Sequence, residues 1–354
     1  IKVDTITNGA TDVNFPYDVK VGAGGFVQRE YYAQATEPTP LTNGAVWYDT
    51  GKSLTKVYLG GAWYIVTIIP PLAYFGGRGL FGGGYTGAGI NTIDYFTIST
   101  PSNATDFGDL SVARYAAAGL AGDGRGVFGG GTGGTNTIDY VTISTPGNAT
   151  DFGDLIEALS YLSACSNGSR GLFAGAGSTY SIQYITIATT GNSVDFGDLL
   201  SPRSYLCSCS DGNRGLFAGG NEYNSISYVD ISTTGNAVDF GDLTVSRGNA
   251  GACSNRTYGL FGGGRLDDNS PSDTIDYVTI ATTGNATDFG NLTVYRKDLS
   301  ACSDGSRGIF GGGTLQNNSG SNTVDYVTIA TPGNATDFGD LTAGTRWTNS
   351  CSGD

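Results

Sequence analysis

The chain has 354 residues, 58 of them glycine, and sets 18 Lys and Arg against 32 Asp and Glu for a net charge of −14. That balance repels phosphate backbones and anionic lipid, which argues against a nucleic-acid partner, and no stretch approaches the 18 apolar residues that a membrane-spanning helix needs. Histidine is absent, which removes His-based metal sites, Ser-His-Asp and Cys-His catalysis and histidine general bases together.

The chain opens Ile1-Lys2-Val3 with no initiator methionine and reads as a processed or partial chain. Residues 1–70 form a first module. Pro38 to Val66 reads PTPLTNGAVWYDTGKSLTKVYLGGAWYIV, with strands expected at Ala45–Asp49, Lys56–Leu59 and Ala62–Thr67 and a hairpin turn at Gly60-Gly61. Trp47 and Trp63 are its core candidates. The W-Y-D-T … Y-x-G-G-x-W wording resembles a small module of phage tail-fibre and adhesin proteins, and Asp12 to Val21 also resembles fibre-type β-structure. The resemblance implies attachment to other virion proteins and homo-oligomerisation, as a trimer. Pro70-Pro71 reads as a stiff linker.

Residues 71–354 are repetitive. R-G-[LVI]-F-[GA]-G recurs at Arg78, Arg125, Arg170, Arg214 and Arg307, with Tyr258 in the arginine's place once, at spacings of 47, 45, 44, 44 and 49. Each copy leads into wording like NTIDYVTIST, then a turn and Asp-Phe-Gly, then a segment like SACSDGS. Each unit thus holds four short strands separated by Asn-Gly or Asp-Gly turn chemistry. Four strands at a period of 40 to 50 residues are the signature of a propeller blade, so the expected fold is all-β with six blades. The first unit lacks a leading strand, and the terminal Thr348-Asn349-Ser350-Cys351-Ser352 aligns with Leu299-Ser300-Ala301-Cys302-Ser303. The C-terminus is therefore expected to close the ring.

A hydrophobic strand ending in Gly-Gly, a Tyr in the next strand, an aromatic in the fourth and an Arg after it resemble the Kelch-type propeller. That arginine is Arg114, Arg203, Arg247 or Arg296, and Phe107 and its equivalents stand where Kelch repeats carry Trp. The near-identical NTIDYVTIATTGNATDFGDLT wording is similar to repeat proteins of marine bacteriophages, particularly cyanophages. The resemblances imply a virion structural protein: a tail-fibre or appendage component, assembled in a bacterial cytoplasm and displayed outside, that adheres to a host-surface glycan or receptor without catalysis. Two alternatives stand beside it, a capsule-degrading propeller glycosidase or lyase and a non-viral extracellular adhesin.

Several motifs read as chemistry and are better read as structure. Gly77-Arg78-Gly79-Leu80-Phe81-Gly82 matches a dinucleotide-binding fingerprint, but it leads into another strand rather than a helix and recurs around the chain. Asp-Phe-Gly occurs six times without the companion kinase motif, and Ala104 to Gly108 misses the sialidase Asp-box. Arg265-Leu266-Asp267-Asp268-Asn269 could supply calcium ligands or be a solvated loop; no other cofactor is expected. Cys165, Cys209, Cys253, Cys302 and Cys351 fall at equivalent places in successive units, too far apart for disulfides, so free buried thiols are expected.

The loop from second to third strand and the crossover between units must share one face. The loop varies most between units, and the crossovers carry Arg203, Tyr205, Arg296, Lys297, Arg346 and Trp347. The candidate ligand face is therefore Tyr85, Tyr180, Glu222, Tyr223, Arg265, Asp267, Asp268, Arg203, Tyr205, Arg296 and Trp347.

Overall fold

A computed structural model describes residues 77–353 apart from Ser178 and Glu222, together with six short strands within residues 6–66. The chain divides into two compact units, Ile1–Pro71 and Leu72–Asp354. In the first, Ile6–Asn8 pairs with Thr11–Val13, and Val46–Asp49, Leu54–Leu59 and Ala62–Val66 form an antiparallel meander. Tyr31–Gln34 adds to it in parallel, a strand the sequence pattern did not disclose. The Gly60-Gly61 turn and the Pro70-Pro71 linker lie outside the described residues, as do the side chains of Trp47 and Trp63.

The second unit is a six-bladed propeller of four-stranded antiparallel sheets, with no helix among the described residues. Blade two shows the pattern: Ala118–Gly122 innermost, then Arg125–Gly129, Thr137–Thr142 and Thr150–Asp154. The inner strands of blades three to six are Ser163–Ser166, Cys207–Ser210, Gly251–Ser254 and Ser300–Ser303. Asn349–Gly353 is the inner strand of blade one and pairs Cys351 with Leu80, so the C-terminus closes the ring as expected.

Each outer strand carries a bulge at its Asp-Phe-Gly, and those of blades five and six carry a second irregularity further on. Ile138 pairs with Gly153 and Asp139 with Asp151, which leaves Phe152 as the extra residue. The bulge turns Phe152 inward, where it meets Tyr140 edge-on at 6.0 Å. It packs in a buried cluster with Val127 and Ile138 of its own blade and Phe173 and Ile185 of the next. Burying such a ring contributes about 1.5–3 kcal/mol, and every blade repeats the arrangement.

Close approach, not phosphate binding, explains the glycines of the R-G-L-F strand. A Cβ on Gly215 would lie 2.7 Å from Cys165 Sγ of the preceding blade, and one on Gly79 would lie 2.8 Å from Cys302 Sγ. The six cysteines are free and buried, and five of them fill this interblade slot, facing Gly79, Gly126, Gly215, Gly259 and Gly308. Burial pushes the thiols of Cys165, Cys207 and Cys351 up to about 12. The first of the adjoining glycines, Gly77, begins the described propeller.

Two polar clamps tie neighbouring blades. Arg125 stacks over Tyr140 at 4.5 Å and donates 2.8 Å to the Ile187 carbonyl of blade three; Arg78, Arg170, Arg214 and Arg307 repeat this. The Asn of each Gly-Asn turn accepts a backbone N–H from the preceding blade, as Asn148 Oδ1 does from Asp109 at 3.1 Å. The turn asparagines therefore do more than shape their own turn.

Candidate functional site

The 2–3 loops and the crossovers meet on one face, as the strand directions require. Tyr85 forms a β-bridge with Arg346, Gly248 with Arg265, and Lys297 with Thr314. Each bridge fixes the loop of blade one, five or six to the preceding crossover by backbone, and side-chain bonds such as Ser246 to Asp267 add to it.

At the centre, one residue from each crossover adopts a left-handed backbone: Ala116, Tyr161, Tyr205, Asn249, Asp298 and Trp347, with φ between 52° and 66°. Their amides form a closed circle. Ala116 N–H donates to Trp347, Trp347 to Asp298, Asp298 to Asn249, Asn249 to Tyr205, Tyr205 to Tyr161 and Tyr161 to Ala116, at 2.8–3.1 Å. Positive φ is what swings each N–H toward the neighbouring blade. The circle rims a narrow axial channel lined by small residues such as Ala164, Ser208 and Ser350. Each half of the channel holds only about 120–130 Å³, well below the roughly 300 Å³ of a small-molecule site.

Side chains on this rim divide in two. One half is aromatic. Trp347 stacks on Tyr115 at 5.4 Å, Tyr85 meets both edge-on, and Tyr161 lies 4.6 Å from Tyr205 and 6.4 Å from Trp347. Arg346 lies over Tyr85 and Trp347, and Arg265 over Tyr205. The rings are half-buried, exposing part of each to solvent. The other half is polar. Asp298 is buried and accepts from Asn249 Nδ2 and Thr314 Oγ1, both at 2.6 Å. Burial pushes its carboxyl up, while the Thr314 bond, Lys297, the nearby Trp347 indole and Arg265 draw it back. Trp347 Nε1 is itself buried without a hydrogen bond of good geometry, so its influence on Asp298 is through proximity. Burial, then Tyr205, Tyr115 and Asp298, push the Tyr161 phenol up, so it stays a neutral donor.

The expected ligand residues distribute unevenly over this geometry. Tyr85, Tyr205, Arg265 and Trp347 converge at the rim. Tyr180 and Tyr223 are exposed on the loops of blades three and four, and Glu222 lies outside the described residues. Asp267 accepts from Ser246 at 2.9 Å and ties its loop to the crossover, while Asp268 accepts from the backbone of Ser270 at 2.9 Å and shapes its own turn. Among the described residues no three His, Cys, Asp or Glu side chains come together as a metal cluster.

Arg203 and Arg296 do not reach the face and are corrected here. Both are fully buried. Arg296 pairs with Asp325 at 2.6 Å, as Arg114 does with Asp139 at 3.0 Å and Arg247 with Asp276 at 2.8 Å. Arg203 donates instead to the Gly219 and Ser225 carbonyls and to Ser227, which stands where Asp139, Asp276 and Asp325 stand in their blades. These arginines pin the crossovers. Burial draws their pKa down, and the facing carboxylates of Asp139, Asp276 and Asp325 hold three of them up.

Tyr115, Tyr161, Asn249 and Asp298 were missed. The rim residue lies two after the crossover arginine in four units and two after Leu159 or Thr345 in the others, and it reads Ala, Tyr, Tyr, Asn, Asp and Trp in turn. That local variability was the available signal. No family model and no curated protein matches this chain.

Proposed function

We propose that the protein is a non-enzymatic adhesion module and that the crossover face of its propeller binds a surface glycan. The observation that carries this reading is the half-exposed cluster of Tyr85, Tyr115, Tyr161, Tyr205 and Trp347, held on a closed backbone ring. Flat amphipathic rings offer stacking area to the C–H faces of sugars, and their hydroxyl and indole groups offer polar contacts. A scaffold tied by backbone bridges is pre-organised, so little ordering cost opposes binding. Sequence resemblance to tail-fibre modules and to repeat proteins of marine phages supports display on a bacteriophage particle, as a tail fibre or other appendage. In that reading the N-terminal unit attaches the chain to other virion proteins and trimerises it.

Exchanging the loops 265–272 and 315–321 for the short loop of blade four is expected to change which host cells the full chain adsorbs to, and Trp347→Ala to abolish adsorption. Unchanged adsorption in both variants overturns the reading. Reducing-sugar release from host polysaccharide tests the glycosidase alternative, which needs paired carboxyls; the rim offers Asp298 alone among the described residues.

A further inference from the structure

The chain is strongly acidic, yet among the described propeller residues the available cations are concentrated at the rim. Five propeller arginines stack on third-strand tyrosines and bind neighbouring carbonyls. Four more are buried in the crossovers. Arg256 lies at the opposite end of the axial channel. The remaining three, Arg265, Lys297 and Arg346, all stand on the crossover face.

Two of them bracket the aromatic strip. Arg346 lies 5.4 Å over Trp347 at one end, and Arg265 lies 5.1 Å over Tyr205 at the other, with Tyr161 between the two rings. Arg346 makes one weak contact of 3.3 Å to the Asn318 carbonyl, and among the described residues no hydrogen bond holds the Arg265 guanidinium. A guanidinium stacked on a ring keeps its N–H edge open in plane, the geometry that takes carboxylate or phosphate oxygens two at a time. Lys297 is less available, because Asn269 accepts from it through both carbonyl and side-chain oxygens. The nearby acids are already engaged: Asp298 by Asn249 and Thr314, Asp267 by Ser246.

We infer that the glycan bound by this face is acidic: sugar rings stack on Trp347, Tyr161 and Tyr205, and anionic substituents are gripped by Arg346 and Arg265. The inference rests on the glycan-binding reading above and narrows its ligand class. The net negative charge elsewhere on the chain directs such a polymer to this one face.

The test titrates the full chain with two matched pairs: oligogalacturonate against its carboxyl-reduced form, and phosphorylated dextran against dextran. The two pairs separate carboxylate from phosphate as the anionic group. The expected result is at least tenfold tighter binding of one anionic member than of its neutral partner, weakened several-fold when salt rises from about 0.05 to 0.5 M. Arg265→Gln and Arg346→Gln should each remove most of that preference, and Arg265→Lys should retain part of it, with thermal melts checking that each variant is folded. Equal binding of charged and neutral partners overturns the acidic-ligand inference and leaves glycan binding standing. No binding to any of the four polymers overturns both.

Discussion

The buried thiols make the propeller sensitive to alkali. Six cysteines are free and buried, and burial pushes Cys165, Cys207 and Cys351 to about 12 from an ordinary value of 9.0. Cys209, Cys253 and Cys302 are raised in the same direction. A raised pKa means that the folded state holds the proton more tightly than the unfolded chain. Below pH 9 both states are protonated and the full stability is present. Above it the unfolded chain ionises while the folded state does not, so stability falls from pH 9 toward 12. Between pH 8 and 10 each thiol costs about 1.4 kcal/mol, and six cost about 8 kcal/mol, comparable with the roughly 5–15 kcal/mol of a whole domain. Urea unfolding of the full chain under reductant, at pH 8, 9 and 10, measures this. A Cys165→Ala, Cys253→Ala, Cys351→Ala variant starts less stable but should lose only about half as much over the same range. Tyrosine ionisation is common to both proteins and cancels in the comparison. Parallel losses in the two proteins would refute the assignment to thiols.

Two further outcomes follow from the interblade packing. Gly215→Ala drives a methyl to 2.7 Å from Cys165 Sγ and should cost about 1–3 kcal/mol, whereas the same change beside Cys165→Ala should cost less by at least 1 kcal/mol; additive urea-unfolding energies would sink this account of the glycine. Asp139→Ala leaves Arg114 buried without its partner and should cost about 3–5 kcal/mol, while Arg114→Leu with Asp139→Gln, the combination blade three carries as Leu159 and Gln183, should recover most of it in the same assay.

Much of the fold was legible because it repeats. Six copies of one pattern set the strand order, and the cysteine of the last fragment matched Cys302, so closure could be placed to the residue. The buried role of Arg203 and Arg296 was not legible from the crossovers alone. A charged residue between polar neighbours reads as exposed, and its partner lies about thirty residues on, as in Arg296 and Asp325. One unit holds a partial clue: where Leu159 replaces the arginine, neutral Gln183 replaces the aspartate and accepts from Ser193 instead, although Arg203 faces Ser227 and Asp94 persists without an arginine. Rim geometry was hidden for another reason. Backbone hydrogen bonds that run from blade to blade around an axis leave no spacing in the sequence.

That same ring is built without side chains. Its bonds are made by amides and carbonyls, so any side chain satisfies it. A left-handed backbone costs a residue with a Cβ about 1–2 kcal/mol, and glycine relieves the cost. This chain has 58 glycines and uses them at positive φ throughout its turns, at Gly83, Gly130 and Gly263 among others. At the six rim positions it uses none, and five of the six carry large or polar side chains: Tyr161, Tyr205, Asn249, Asp298 and Trp347. Folding alone would favour glycine there. Six other non-glycine residues also take positive φ, Asp123, Ala176, Asn221, Arg256, Asn269 and Asn318; at the rim, the glycan-binding role proposed above would explain why such a backbone is kept at Tyr161, Tyr205 and Trp347 beside the aromatic strip.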